Sequence, residues 1–378
     1  MKIEIREITD LQQLMDYRDI WNELNSECRT GSAFTSFEWT TSWYQWYSFS
    51  GTPLVFFIYH DEKPVGFVPL YVWRGTLGKI AVKRIDFAGY NFGVGTFIVS
   101  EQVQEVVPAL MDYITKRLHH KWDVIALKGI PKAAEQFSVL SEWLRTGKNQ
   151  YMLEPYQIPI IKLQGTWDDY LKRFGQKLRH TFNNKRNQAQ KLYSVEFTRL
   201  KTIAEDELES YMDMIVGIAS KSWKSGADSA ISSNAHVEGF YRQIAHEFNR
   251  KGELDLALLH FDGKPVAYLF GLTVGNNYYA IDTAYLEEFG KNSPGNLVNL
   301  MLIRDLFDEH RELYVNDGYD PYKNRFIADS QDASLIFIFS GTWRARTAYM
   351  VKSKLLPFLA GLKERTPDIR LSTARKRA

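Results

Sequence analysis

The chain has one cysteine, Cys28, in 378 residues. That excludes an internal disulfide framework and any zinc site built on several thiolates, and it fits a reducing compartment. Long apolar runs are also missing: the stretch 54–59 is among the longest, far short of the roughly 20 residues that span a bilayer. Charge of either sign is not in excess, with 47 Lys and Arg against 45 Asp and Glu and a net +2, so DNA is not an expected partner. The opening residues, MKIEIREITDLQQL, lack the apolar core of a signal peptide, and the expected location is cytoplasmic, with peripheral membrane contact left open.

Several chemistries have no motif to carry them. The eight histidines include no HExxH or similar ligand spacing, so no metal is expected. There is no G-x-S-x-G elbow, no Walker loop and no dinucleotide G-x-G-x-x-G after a strand; Gly89, Gly93 and Gly95 read as turn glycines. Hydrolase, kinase and dehydrogenase readings lose their support.

What remains is ordinary globular sequence, 45% hydrophobic and 24% charged, long enough for two domains at roughly 100–200 residues each. Period-2 and period-3.6 patterns alternate: a strand at Ile3 and Ile5, a helix carrying Leu11, Leu14, Ile20 and Leu24, an aromatic helix over 37–47, and a hairpin of strands 54–59 and 64–73. Helices over 103–118 and 134–144 flank strands 123–127 and 156–163. The second half repeats the theme, with a helix over 237–248, a hairpin near Leu254, a strand over 277–285, a helix over 294–310, strands 313–316 and 334–339, and a last helix over 343–362. Asp61, Lys63, Pro64 and Val65 fall on Asp262, Lys264, Pro265 and Val266 at a constant offset of 201, which points to duplication. The residues after Pro367 read as a solvated basic tail.

A hairpin with a D-x-K-P-V-type turn, a strand ending Asp282-Thr283-Ala284-Tyr285, the Ser293-Pro294-Gly295 loop and the helix after it together resemble the GNAT acyltransferase superfamily. More narrowly, the chain is similar to the CelD-like branch, the acetyltransferases associated with cellulose biosynthesis, which shares two GNAT-like modules with the Fem aminoacyl transferases. The resemblance implies an α/β (α+β layered) fold of two tandem modules, 1–165 and 166–378, each a mixed, mostly antiparallel sheet flanked by helices. It implies an N- or O-acyltransferase that takes acyl-CoA, acetyl-CoA for instance, as co-substrate. The acceptor would be a small molecule or cell-envelope or exopolysaccharide precursor. The Fem-like alternative would use charged tRNA, and a third reading is a binding protein of the same fold without catalysis.

The residues supply candidates for each role. Ser293 is placed to cap a helix that Pro294 opens, and free amides there suit an anion; by resemblance Lys291, Ser293, Gly295 and Asn296 mark the cofactor loop. Asp282 stands in the apolar run YYAIDTAY, where an unpaired carboxylate is costly, so it is either a general base or half of an ion pair with Lys264 or Arg304. Tyr285, or Tyr279, is the candidate proton donor to a leaving thiolate. Tyr322 and Lys323 follow a strand end, and the resemblance assigns Lys323 to the substrate site. Trp223 and Lys224 are further candidates for the cleft. Over 171–192 an apolar stripe of Phe174, Leu178, Phe182, Ala189 and Leu192 is flanked by cations, among them Lys172, Arg173, Lys185 and Arg186, a basic helix for an anionic substrate, headgroup or tRNA, or a plain solvated face.

Overall fold

In the computed structural model, which describes residues 2–47, 51–89, 93–224, 230–316 and 326–355, the two repeated turns are superimposable in their backbone logic. Asp61 and Glu62 (φ 45° and 69°) and Asp262 and Gly263 (φ 51° and 76°) are left-handed pairs, the turn that matches the twist of a two-residue hairpin. Each aspartate also ties down the strand before its hairpin: Asp61 Oδ1 accepts from the Lys2 N–H at 2.9 Å and Asp262 Oδ1 from the Ser194 N–H at 2.7 Å.

The strands are β1 (Ile3–Ile8), β2 (Gly51–His60), β3 (Lys63–Leu77), β4 (Ile80–Phe87), β5 (Ile98–Val99), β6 (Val124–Pro131), β7 (Gln150–Lys162), β8 (Val195–Leu200), β9 (Leu254–Phe261), β10 (Lys264–Val274), β11 (Asn277–Tyr285), β12 (Leu313–Val315) and β13 (Asp329–Phe339). The helices are α1 (Leu11–Met15), α2 (Arg18–Glu27), α3 (Phe37–Tyr47), α4 (Val103–Asp112), α5 (Glu135–Thr146), α6 (Trp167–Lys172), α7 (Gln176–Leu192), α8 (Glu205–Ser220), α9 (Ala235–Arg250), α10 (Pro294–Asp308) and α11 (Trp343–Met350). The fold is a mixed α/β architecture with one large mixed sheet flanked by helices, in the order β1-β2-β3-β4-β6-β13-β7-β12-β11-β10-β9-β8, with β5 beside β3.

That order reads as two copies of one plan. β1 to β4 and β8 to β11 are antiparallel meanders, and each is followed by a parallel neighbour, β6 on β4 and β12 on β11. The closing strands are exchanged. β13 lies against β6 of the first half, whereas β7 lies against β12 of the second, and β7 and β13 pair along eleven residues. The halves are thus stitched through the sheet centre.

A second seam joins the aromatic helices. Trp39 of α3 meets Phe240 of α9 edge-on at 5.2 Å, Trp46 Nε1 donates to Gln243 Oε1 at 2.6 Å, and Lys251 reaches the buried Glu38 at 3.2 Å. Gly239 is where the backbones come closest: a Cβ there would sit 2.3 Å from the Trp46 ring. One hydrophobic cluster runs across both halves, from Trp21, Phe37 and Phe67 to Tyr268, Phe270 and Tyr278.

The periodicity differs from the structure at three helices. The basic segment is two helices, α6 and α7, because the chain breaks before Gly175, an extended N-cap. The helix expected over 103–118 is α helical only to Asp112 and closes with a wider turn over Tyr113–Arg117. The last helix is regular over Trp343–Met350, and its expected continuation to 362 and the basic tail lie outside the described residues beyond 355. Among the described residues no helix is long and apolar enough to cross a membrane, and no group of three His, Cys, Asp or Glu side chains is placed to hold a metal.

Candidate functional site

The parallel pair β11–β12 and the first turns of α10 enclose a narrow pocket with a free volume of about 30 Å³. Four of the sequence candidates line it: Trp223, Tyr285, Gly295 and Asn296. Six residues that sequence reasoning passed over complete it, namely Thr283, Asn299, Ile303, Tyr314, Phe326 and Ile327. Asn299 carried a readable signal, since it stands four residues after Gly295 and three after Asn296, on the same helix face. Tyr314 and Phe326 carried none.

Local chemistry explains the shape. Gly295 is required by close approach: a Cβ there would lie 2.8 Å from Cδ1 of Tyr285. The Asn299 amide donates to the Gly295 carbonyl at 2.7 Å and its Oδ1 accepts from the Tyr314 hydroxyl at 3.2 Å, so one side chain fixes the helix start to β12. Tyr278 stacks on Tyr314 at 5.7 Å, and burial pushes both hydroxyls up, keeping them protonated. Tyr170 of α6 donates to the Phe326 carbonyl and anchors the segment that closes the pocket.

Asp282 is not part of that lining. Side chains alternate along a strand, so with Thr283 and Tyr285 in the pocket the intervening residues face the other side; a bulge opposite Phe270 and Gly271 sets this register. The Asp282 carboxylate is buried, accepts from the Tyr268 hydroxyl and pairs with Lys224 Nζ at 3.0 Å. Burial and the Asp282 charge push the Tyr268 hydroxyl up, so it stays protonated and donates. Asp282 and Tyr285 therefore do not share one site. The ion pair foreseen for Asp282 exists with a different cation: Lys264 pairs with Glu288 at 2.6 Å and Arg304 with Asp305 at 3.3 Å. Lys224 is adjacent to the half-exposed Trp223, its Nζ 5.7 Å from that ring, on a strap that Ser222 pins to Leu286 by a β-bridge.

The other candidates divide. Ser293 is the N-cap of α10 with Pro294 at its first turn, but its backbone is left-handed (φ 56°, ψ 47°) and its side chain makes no capping bond. The expected cradle of free amides is thin: Pro294 has no N–H, and the Asn296 and Leu297 amides both donate to the Ser293 carbonyl, leaving at most that of Gly295. Lys291 is exposed on the preceding turn, and its carbonyl accepts from Lys185 of the basic helix at 2.7 Å. Tyr279 is buried on the far side, bonded to the Asn277 side chain and the Ala33 backbone. Two basic-segment cations have acidic partners, Arg173 with Asp329 and Lys172 with Asp169. Tyr322 and Lys323 lie outside the described residues.

With the pocket defined, comparison becomes informative. Residues 176–324 match the family model of an acetyltransferase (GNAT) domain. The matched segment holds eight of the ten lining residues and stops just before Phe326 and Ile327. The whole chain superposes on FemX with a TM-score of 0.58 at 11% identity, covering 93% of this chain and 99% of that one. A conserved protein of unknown function from Bacteroides thetaiotaomicron VPI-5482 gives 0.56 at 14% identity, over 89% of this chain and 100% of its own. L-PGS from Bacillus licheniformis gives 0.55 at 9% identity, over 89% and 96%. At such identities these likenesses establish the fold. No curated protein matches the chain.

Proposed function

We propose that the protein is an acyltransferase whose transfer site is the pocket between β11, β12 and the start of α10. The observation that carries this reading is the convergence of Trp223, Tyr285, Gly295 and Asn296 on one pocket inside the segment that matches the GNAT model. An acyl group enters the apolar pocket, and an amine or hydroxyl of the acceptor approaches from the side of the exposed Trp223. The acceptor's lone pair attacks the acyl carbonyl carbon, the carbon–sulfur bond of acyl-CoA breaks, the Tyr285 hydroxyl protonates the departing thiolate, and the acceptor's proton returns through water at the open side to the Tyr285 oxygen. Asp282 acts here as a positioning residue that holds Lys224 and the Trp223 strap. Lys323 and Tyr322 lie outside the described residues, and the family resemblance alone assigns them to the acceptor side. The modules 1–165 and 166–378, a CelD-like role in envelope or exopolysaccharide metabolism, and a cytoplasmic location are parts of the same reading.

The test is release of free thiol from acetyl-CoA in the presence of a panel of amines and sugars. Acceptor-dependent release that falls at least about tenfold in Tyr285→Phe, the low end of what one general acid contributes, supports the reading; no release with any acceptor rejects it. One observation favours a second reading, aminoacyl transfer from charged tRNA: the start of α10 offers at most one amide to a pyrophosphate. Tight tRNA binding with a steep salt dependence, and none to acetyl-CoA, would select it.

A further inference from the structure

A larger cleft lies elsewhere, with a free volume of about 480 Å³, inside the roughly 300–1,000 Å³ range of small-molecule sites. Its first-half wall includes Val103 at the start of α4 and Gly129 and Pro131 of β6. Its remaining wall comes from the other half, through Asn277 and Tyr279 of β11 and Leu313 and Val315 of β12. The cleft is therefore complete only in the intact chain.

The chemistry of its wall is neutral and hydrogen-bonding. Thr96 lines the cleft, is 5% exposed, and its hydroxyl makes no hydrogen bond within the protein. Asn277 also lines the cleft, and its Oδ1, an acceptor, is buried without a hydrogen-bond partner. A buried polar atom left in this way costs free energy that a ligand donor recovers. Carboxylates and fully ionised phosphate esters have no proton to donate to Asn277. Among the described residues at the mouth they also meet Glu27 and Glu135 against one cation, Arg29. Groups that both donate and accept, and carry no charge, fit both positions.

We infer that this cleft is a second ligand site, distinct from the transfer pocket, and that it takes an uncharged polyhydroxylated compound such as a sugar. The probes are glucose, N-acetylglucosamine and myo-inositol, followed by saturation-transfer NMR on the full chain. Two variants locate the site: Thr96→Val removes one hydroxyl at constant shape, and Ala133→Trp places a ring at the exposed mouth, with unchanged thermal unfolding as the check on folding. At least one probe binds saturably, about fivefold more weakly in Thr96→Val, the worth of one neutral hydrogen bond, and undetectably in Ala133→Trp. Failure of all three probes at millimolar concentration overturns the inference. So does probe binding that survives Ala133→Trp, or acetyl-CoA or inorganic phosphate binding that this variant removes. Loss of thiol release in the transfer assay leaves this site untouched, so the two proposals fail separately.

Discussion

Removing either member of the Asp282–Lys224 pair should destabilise the protein far more than removing both. The carboxylate is 6% exposed and the ammonium 13%, 3.0 Å apart. At an effective dielectric near 20 their attraction is about 5 kcal/mol, most of it offset by the cost of taking both charges out of water. Asp282→Asn keeps the shape and an acceptor for Tyr268 but leaves the ammonium alone in a buried position, and Lys224→Met leaves the carboxylate with the Tyr268 hydroxyl as its donor. Each should cost roughly 3–5 kcal/mol, whereas the double variant should lie within about 2 kcal/mol of the parent, a coupling of several kcal/mol. The assay is urea unfolding of the four proteins, read as midpoints at constant slope. Single variants within about 1 kcal/mol of the parent, or additive losses, would refute the argument that Asp282 is committed to Lys224.

Other consequences are open to simpler measurements. Gly239→Ala gains about 1 kcal/mol in helix propensity but forces a Cβ to within 2.3 Å of the Trp46 ring, so it should be net destabilising by roughly 1–2 kcal/mol; a rise in the unfolding midpoint contradicts the close seam. The protonated His246 ring donates from Nε2 to Glu209 at 2.6 Å and from Nδ1 to Glu205 at 2.8 Å, with Arg242 and Arg250 on the same glutamates. Burial pulls its imidazole down, but the two glutamates outweigh it and the net shift is upward from 6.5. A raised folded-state value means the stabilisation is full below 6.5 and fades as pH rises through the shifted value, so His246→Gln should cost about 1 kcal/mol in acid and little well above it; equal losses at both ends refute the clamp. A fragment of residues 1–165 lacks β13 and leaves β7 without β12, so it should not fold alone and should regain structure with 166–378; a cooperative transition in the isolated fragment contradicts the strand exchange.

The hairpins, α3, α9 and α10 were legible in the sequence because local rules write them: alternation, capping, and a turn whose aspartate and glycine tolerate positive φ. The repeat was legible for the same reason, through four residues at one turn. The exchange of β7 and β13 was not, since apolar alternation says that a strand is half buried but not which neighbour it takes. The break at Gly175 escaped because cations and apolar residues keep helical spacing on both sides of it. Within the site, Trp223, Tyr285, Gly295 and Asn296 came from one recognisable stretch of sequence and its companion strap. Tyr314 and Phe326 arrive there only through tertiary packing, and the bulge that turns Asp282 away from Tyr285 is a feature of the pairing between β10 and β11, invisible in either strand alone.

The central claim, that the α10 pocket receives the acyl donor, is tested most directly by calorimetric titration of the full chain and of Gly295→Val with acetyl-CoA. The added side chain begins 2.8 Å from the Tyr285 ring and narrows the pocket without touching Asp282 or Lys224. Saturable binding to the parent, weakened at least about tenfold (1.4 kcal/mol) in a variant that still unfolds in one cooperative transition, at a somewhat lower midpoint, is the predicted result. No binding to the parent, or equal affinity in both, would contradict it.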